Sequence, residues 1–270
     1  MSNKKKIIWI VSYPKSGNTW IRIALNLALT GNIDLNKIQI NSFSGLMKYY
    51  IKRQDDLSKP GDIAKFWTNA QKSIVSEIPE NSFKALKTHN VCAQIGDVKF
   101  PDYRYTAGII YIVRDPRDVA VSYSSHFNMN IEETIFSMMK EDHFIFNSKS
   151  LYRSELISSW DKHVMSWVSS KFPKLVLRYE DLLSNTHGCF KALFDFCNVK
   201  PKINIDDIVQ LSSFKKLSTL EKEKGFVEAN RYGASFFRSG KTKVWKEYPE
   251  EIFKPVTIKF NKVMEKFNYV

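Results

Sequence analysis

Lys15, Ser16, Gly17 and Thr19 lie close together in Val11-Ser12-Tyr13-Pro14-Lys15-Ser16-Gly17-Asn18-Thr19-Trp20, and the chemistry open to such a group is the holding of an anion. The segment follows the apolar run Ile7-Ile8-Trp9-Ile10 and precedes a helical pattern from Ile21 to Leu29. A strand, a tight glycine-containing turn and a helix N-terminus in direct succession present backbone N–H groups and a positive dipole end to a phosphate. The Walker A loop is the nearest general comparison, but Asn18 stands at its lysine position and Ser12 at its first glycine, so this is not a Walker A. Lys15 sits inside the turn instead, behind Pro14, whose ring stiffens the approach. From there it can touch a bridging or transferring oxyanion. An ordinary strand-to-helix turn with a solvated lysine is the other reading of this segment alone.

Such a turn needs a sheet behind it, and the apolar runs alternate with helical patterns. Residues 7–12 are predicted as a strand, 18–30 as a helix, 61–77 as helical and Phe83–Thr88 as a short strand. Ala107–Val113 is a strongly apolar strand, followed by a helix whose first turn carries Asp115 and Asp118, acidic residues that suit its dipole. Ser150–Ser170 reads as one long amphipathic helix, Lys174–Arg178 as a strand and Asp181–Cys197 as a helix. Residues 31–60 and 222–243 fit no regular element, and the second stretch is either disordered or an ordered functional loop. The pattern predicts an α/β fold: a central, mainly parallel sheet covered by helices on both faces.

Ligands of open α/β sheets gather beyond the carboxyl ends of the strands. Lys87-Thr88-His89, Arg114 to Asp118 and Tyr179-Glu180-Asp181 all follow predicted strands, so with Lys15 they are expected around one crevice. Arg114 and Ser122, on the following helix, could reach one phosphate together, the arginine as a fork donor and the serine through its hydroxyl. Pairing of Arg114 with a neighbouring aspartate is the alternative. Lys87 beside His89 discourages the imidazolium, which suits a group that must accept a proton near neutral pH. His126, His143, His163 and His187 read as ordinary surface or core residues.

Tyr13 to Trp20 resembles the 5′-phosphosulfate-binding loop YPKSGTTW of cytosolic-type sulfotransferases, which have a P-loop NTPase-like fold, with Asn18 for the first threonine. Tyr111 to Tyr123 resembles that family's 3′-phosphate motif, with arginine and serine at the spacing of Arg114 and Ser122. Lys87-Thr88-His89 is similar to its KTH segment, which bears the catalytic base. Phe237 to Lys246 resembles its RKGxxGDWK segment. There Arg238 and Gly240 are kept, while Ser239 replaces lysine, Lys243 the later glycine and Val244 the aspartate. The resemblance places Ser213 and Phe214 against adenine, Tyr179 on the adenine side and Trp20 stacked on the base. It implies a sulfotransferase that uses 3′-phosphoadenosine 5′-phosphosulfate (PAPS), leaves adenosine 3′,5′-bisphosphate and needs no metal. Ser16, Gly17, Asn18, Thr19 and Gly240 would then help hold the donor. His89 would be the base, with Lys15 and Lys87 offsetting charge. The acceptor would be a hydroxyl or amine of a small molecule or glycan. The family's KxxxTVxxxE dimer motif is not matched by Lys246-Glu247-Tyr248-Pro249-Glu250, which leaves the oligomeric state open. A P-loop kinase or other NTPase and a non-catalytic anion- or glycan-binding protein are the competing readings.

At 270 residues, 43% hydrophobic and 14% aromatic, the chain is expected to form one domain, 1–270. Its net charge of +13 attracts polyanions, yet the basic residues are dispersed and form no arginine-rich run or zinc-finger spacing, which speaks against specific nucleic-acid recognition. Cys92, Cys189 and Cys197 contain no CxxC pair, so the expectation is reduced thiols of a cytoplasmic protein rather than disulfides or a zinc site. Lys4-Lys5-Lys6 and the short run after it do not make a signal peptide, and no run approaches the roughly 18 apolar residues of a membrane span.

Overall fold

Every residue of Ile7–Ser12 is buried, as expected of a parallel strand covered on both faces. The computed structural model describes residues 6–49, 60–145, 154–229, 235–238 and 240–270. In chain order its elements are β1 (Ile7–Ser12), α1 (Asn18–Thr30), α2 (Phe43–Leu46), α3 (Ala64–Ser76), β2 (Lys84–Thr88), β3 (Ala93–Ile95), β4 (Val98–Phe100) and β5 (Thr106–Val113). There follow α4 (Pro116–Phe127), α5 (Ile131–Met139), β6 (Phe144–Ile145), β7 (Glu155–Leu156), α6 (Trp160–Val168), β8 (Lys174–Arg178), α7 (Tyr179–Ser184), α8 (Thr186–Phe196), α9 (Ile205–Leu211), α10 (Phe214–Lys224) and α11 (Lys254–Lys266). A parallel sheet runs in the order β2-β1-β5-β8, and β1 pairs with β2 from Ile7↔Lys84 to Val11↔Thr88. The predicted α/β fold with a central parallel sheet is thus the observed one.

The chain packs as two compact units. One comprises Met1–Tyr13, Ile40–Tyr111 and Met139–Val176. Its core gathers Trp9, Phe43, Phe100, Trp67 and Trp167, with Phe100 within 6.1 Å of the other rings. The Trp9 indole N–H donates to Thr106 Oγ1 at 3.0 Å, so the largest ring in the strand is buried without a lost hydrogen bond. The antiparallel pair β6–β7 sets Ile145 opposite Glu155.

The other unit comprises Pro14–Gln39, Ile112–Met138 and Leu177–Val270. Leu25, Phe190, Leu193, Ile208, Phe253 and Phe260 are buried in it. Helix α1 stops at Gly31, whose φ of 74° lets its N–H close back on Leu27 O at 2.8 Å. The chain end is tied down as well: Arg117 donates to Tyr269 O at 2.6 Å, and Tyr269 Oη donates to Glu180 Oε2 at 2.9 Å.

Two predicted elements are corrected. The long helix expected over Ser150–Ser170 is α6 alone, because β7 and the left-handed Ser158, φ 65°, precede it; residues 150–153 lie outside the described ones. The helix expected over Asp181–Cys197 is two, α7 and α8. Asn185 interrupts it with φ −139° and ψ 59°, and its side chain accepts the Gly188 N–H as the cap of α8. Part of 31–60 forms α2 and short 3₁₀ turns at Leu35–Lys37 and Met47–Tyr49, and α10 carries regular structure to Lys224 before the irregular stretch begins.

Candidate active site

The turn between β1 and α1 holds two left-handed residues, Lys15 at φ 67° and Gly17 at φ 100°. A Cβ at Gly17 would stand 2.7 Å from Tyr179 Cδ2, so glycine is required by conformation and by space. No side chain caps α1, and its first turn carries no acidic residue. Ser16 is fully buried, and its Oγ has no hydrogen-bond partner among the described residues. A hydroxyl left so costs about 1–3 kcal/mol, a cost an oxyanion seated on the turn would remove. The turn therefore fits a phosphate. The adjoining helical turn already meets an anion: Thr19 Oγ1 donates to Glu228 Oε2 at 3.0 Å, and Arg22 pairs with Glu228 Oε1 at 2.7 Å.

Arg114 is 7% exposed, and the neighbouring aspartate it pairs with, Asp118 at 4.0 Å, is buried as well, so the ion pair is there but is not a surface one. Its Nη1 donates to Lys15 O and its Nη2 to Lys241 O, each at 3.1 Å. Its guanidinium lies 4.3 Å from the centre of the Tyr179 ring, and its Nε has no partner among the described residues. Asp118, 4.0 Å away, accepts the backbone N–H groups of Lys243 at 2.7 Å and Trp245 at 3.0 Å. Burial raises the Asp118 carboxyl above its usual range, with Arg114 pulling the other way. Arg114, just ahead of α4, and Asp118 in its first turn thus clamp the backbone of 241–245. Ser122 is half-buried further along α4.

The other sequence-predicted residues of this unit gather in part. The Trp20 ring meets Tyr179 edge-on at 6.2 Å. Gly240, φ 59°, abuts the Phe214 ring so closely that a Cβ would collide with it. Ser213 is engaged in capping α10, accepting Lys216 N–H at 3.4 Å. Arg238 is exposed, Asn18 is buried and Ser239 lies outside the described residues. The Lys15 ammonium lies 4.4 Å from the centre of the Phe236 ring.

His89 follows β2 in the first unit, two residues after the half-buried Lys87. Its Nδ1 lies 2.7 Å from Ser12 O. A carbonyl oxygen only accepts, so Nδ1 carries the proton and Nε2 is left as the basic nitrogen. The His89 backbone is held on both sides: its N–H donates to Glu155 Oε1 at 3.0 Å, and its carbonyl oxygen lies 3.0 Å from His163 Nε2. Next to it, Asn90 Oδ1 accepts Leu156 N–H at 2.8 Å and Asn90 O accepts the Trp167 indole N–H at 3.0 Å.

Glu228, Arg22 and Tyr111 join these clusters without a site role in the sequence analysis, and Asp118 joins them with a task, holding the backbone of Lys243 and Trp245, that its place in the first turn of a helix does not announce. For Arg22 the signal was available, since it stands three residues after Thr19 on one helix face. His163 is a core histidine, as its sequence context allows, and His126 is half-buried. Burial and the Lys15 ammonium push His126 down to about 4, and burial pushes His163 down to about 3. Both folded values lie below the ordinary 6.5, so below that pH the unfolded chain binds protons that the folded chain refuses. Stability is then whole above 6.5 and falls on acidification. The melting temperature is expected to drop between about pH 7 and about pH 5, and H126L to flatten part of that slope; a melting temperature independent of pH would contradict the neutral imidazoles.

Residues 5–267 match the family described as the sulfotransferase domain. Flavonol 3-sulfotransferase of Flaveria bidentis is 29% identical over 262 residues, covering 89% of this chain and 76% of its own length. Sulfotransferase 2A6 of Mus musculus is 26% identical over 257 residues, covering 91% and 79%. Among solved structures, the fold is shared with retinol dehydratase in complex with androsterone and the inactive cofactor PAP. That pair superposes with a TM-score of 0.64 at 20% identity, covering 98% of this chain and 81% of the other. Mouse sulfotransferase SULT7A1 complexed with PAP gives 0.62 at 21% identity, with 96% and 84% covered. With a family match that begins ahead of β1 and ends beyond α11, over a fold whose β1–α1 turn is shaped for a phosphate, the chain belongs to the sulfotransferase family.

Proposed function

We propose that this protein transfers a sulfuryl group from PAPS to the hydroxyl of a small acceptor molecule, with His89 as the base. The observation that carries the reading is the fixed tautomer of His89, whose Nδ1 is committed to Ser12 O at 2.7 Å. Nε2 is thereby ready to take the acceptor proton as its oxygen attacks sulfur in line. Bound PAPS supplies the electrophilic sulfur and a leaving phosphate oxygen. Lys15, with Lys87, opposes the negative charge that grows on the bridging oxygen and the sulfuryl group. The backbone of Lys15 to Thr19 and the Ser16 hydroxyl hold the 5′ phosphate; Arg114, Ser122 and Arg238 hold the 3′ phosphate; Trp20, Tyr179 and Phe214 enclose the adenine.

Relatives named for flavonol and 3-beta-hydroxysteroid sulfation favour a hydroxyl on a small, largely apolar acceptor over an amine or a glycan. The unbroken family match supports residues 1–270 acting as one sulfotransferase domain. A cytoplasmic setting is supported by three free thiols, of which burial raises Cys92 to about 11 and Cys197 to about 12. No helix among the described residues is long and apolar enough to cross a membrane.

Incubation with sulfur-labelled PAPS and a panel of phenols, sterols, amines and glycans tests the reading. Label is expected on a hydroxylated small molecule, in the presence of a chelator as well as without it. Hydrolysis of ATP with no label transferred would overturn it. Arg114 supplies a sharper check on the donor. R114A is expected to weaken adenosine 3′,5′-bisphosphate about 10- to 100-fold more than adenosine 5′-phosphate, by loss of a charge-assisted contact. Because Arg114 also ties Lys15 O and Lys241 O, both nucleotides should lose some affinity, and the difference carries the test. Equal weakening measured by calorimetry would remove Arg114 from the 3′ phosphate.

A further inference from the structure

We propose that His163, held in place by Tyr111, is a positioning residue that fixes the peptide of His89. The proposal rests on His89 being the base. Thr88 is the last residue of β2, so the His89 peptide leaves the ladder and its polar groups need partners from elsewhere. Two side chains provide them, Glu155 for the N–H and His163 for the carbonyl.

His163 is fully buried, and both of its ring nitrogens are committed. Its Nε2 lies 3.0 Å from the His89 carbonyl, which can only accept, so Nε2 carries the proton. Its Nδ1 is therefore the acceptor, 2.8 Å from Tyr111 Oη, which donates. The hydroxyl thus selects the tautomer that lets the imidazole donate to the base's own peptide. The same imidazole meets the Tyr13 ring edge-on, with centroids 5.4 Å apart at 87°, and Tyr13 Oη is in turn 3.1 Å from His143 Nδ1. One buried ring accordingly touches the residue that opens the phosphate turn and the residue that carries the base. A leucine there would fill comparable space without either hydrogen bond, so an imidazole at this depth is better explained by alignment than by packing alone.

The full chain carrying H163L, H163Q or Y111F tests this. H163L is expected to lower kcat about 50-fold, as a small misplacement of a catalytic group does, while adenosine 3′,5′-bisphosphate affinity stays within about twofold. H163Q, whose amide can place an N–H where Nε2 stood, should recover at least about tenfold of that loss. Imidazole ¹⁵N spectra of the parent should show His163 protonated on Nε2 and His89 on Nδ1, with the His89 pattern lost in H163L. H163L at the parent rate, H163Q as slow as H163L, or a His89 tautomer indifferent to H163L would each overturn the proposal. Should H163L fail to fold, Y111F, which deletes one buried oxygen, carries the test; an unchanged kcat with an unchanged His163 tautomer would then refute it. H89A measured alongside separates the two ideas. Turnover by H89A sinks the base assignment, whereas a dead H89A with a fully active H163L sinks only the positioning role.

Discussion

Replacing His89 with alanine is expected to lower kcat by about three orders of magnitude, within the range that a positioned general base contributes. An acceptor hydroxyl is a poor nucleophile until its proton is removed, and the nitrogen suited to remove it is His89 Nε2, since Nδ1 is committed to Ser12 O at 2.7 Å. Nucleotide binding should survive, because the groups proposed to hold the phosphates belong to the β1–α1 turn, to Arg114 and α4, and to the stretch at Arg238 to Gly240, and the substitution removes none of them. The change is also mild for the fold. The ring is only half-buried, and the His89 backbone keeps its bonds to Glu155 and His163 whatever the side chain. Calorimetry with adenosine 3′,5′-bisphosphate and turnover with labelled donor therefore read different things, and the prediction is a near-parent Kd beside a collapsed kcat. Added imidazole should restore part of the rate by occupying the vacated space. A variant that turns over within about tenfold of the parent would remove His89 from the proton transfer.

How much of this was legible in the sequence follows from how local each feature is. β1, α1 and β5 were readable because continuous apolar runs and a glycine between strand and helix are properties of neighbouring residues. The turn at Lys15 to Thr19 was readable for the same reason. The partners of His89 were not: His163 and Tyr111 are 52 residues apart, and His163 lies 74 residues from His89. Only the stacking of β2, β5 and α6 brings them together, and no spacing rule spans that. Glu228 reaches Thr19 and Arg22 across more than 200 residues from a stretch with no periodicity, so no local signal pointed to it. The overlong reading of α6 had a physical cause as well. A pattern of apolar residues cannot register that β7 and a left-handed Ser158, φ 65°, come first and that the helix starts only at Trp160. Arg114 is a mixed case. Its place at a strand end was legible, but its hold on Lys15 O and Lys241 O was not, and that hold gives it a structural task in addition to the phosphate contact proposed for it.

Lys15→Met is the second large effect, expected to lower kcat about 100- to 1,000-fold with donor affinity within about fivefold of the parent, the pattern of a group that acts on developing charge. The turn should survive the substitution. Its shape is set by Gly17 at φ 100° and by Arg114 gripping the Lys15 carbonyl at 3.1 Å, and a methionine meets the same left-handed backbone that the lysine already accepts at φ 67°. The groups proposed to bind the 5′ phosphate are backbone N–H groups and the Ser16 hydroxyl, none of which the change removes. What disappears is the ammonium, seated 4.4 Å from the Phe236 ring centre. An ammonium resting on an aromatic face is desolvated on that side, so its field falls with less screening on an oxyanion brought to the turn. A physical readout independent of turnover checks that the field has gone. The Lys15 charge is one of the causes that lower His126 to about 4, so the His126 titration followed by NMR should move upward in K15M and back down in K15R. If K15M instead raises KM while kcat holds, Lys15 binds ground state and transition state alike and has no special part in the transfer. If kcat falls while the His126 titration stays where it was, the loss comes from a distorted turn rather than a missing charge.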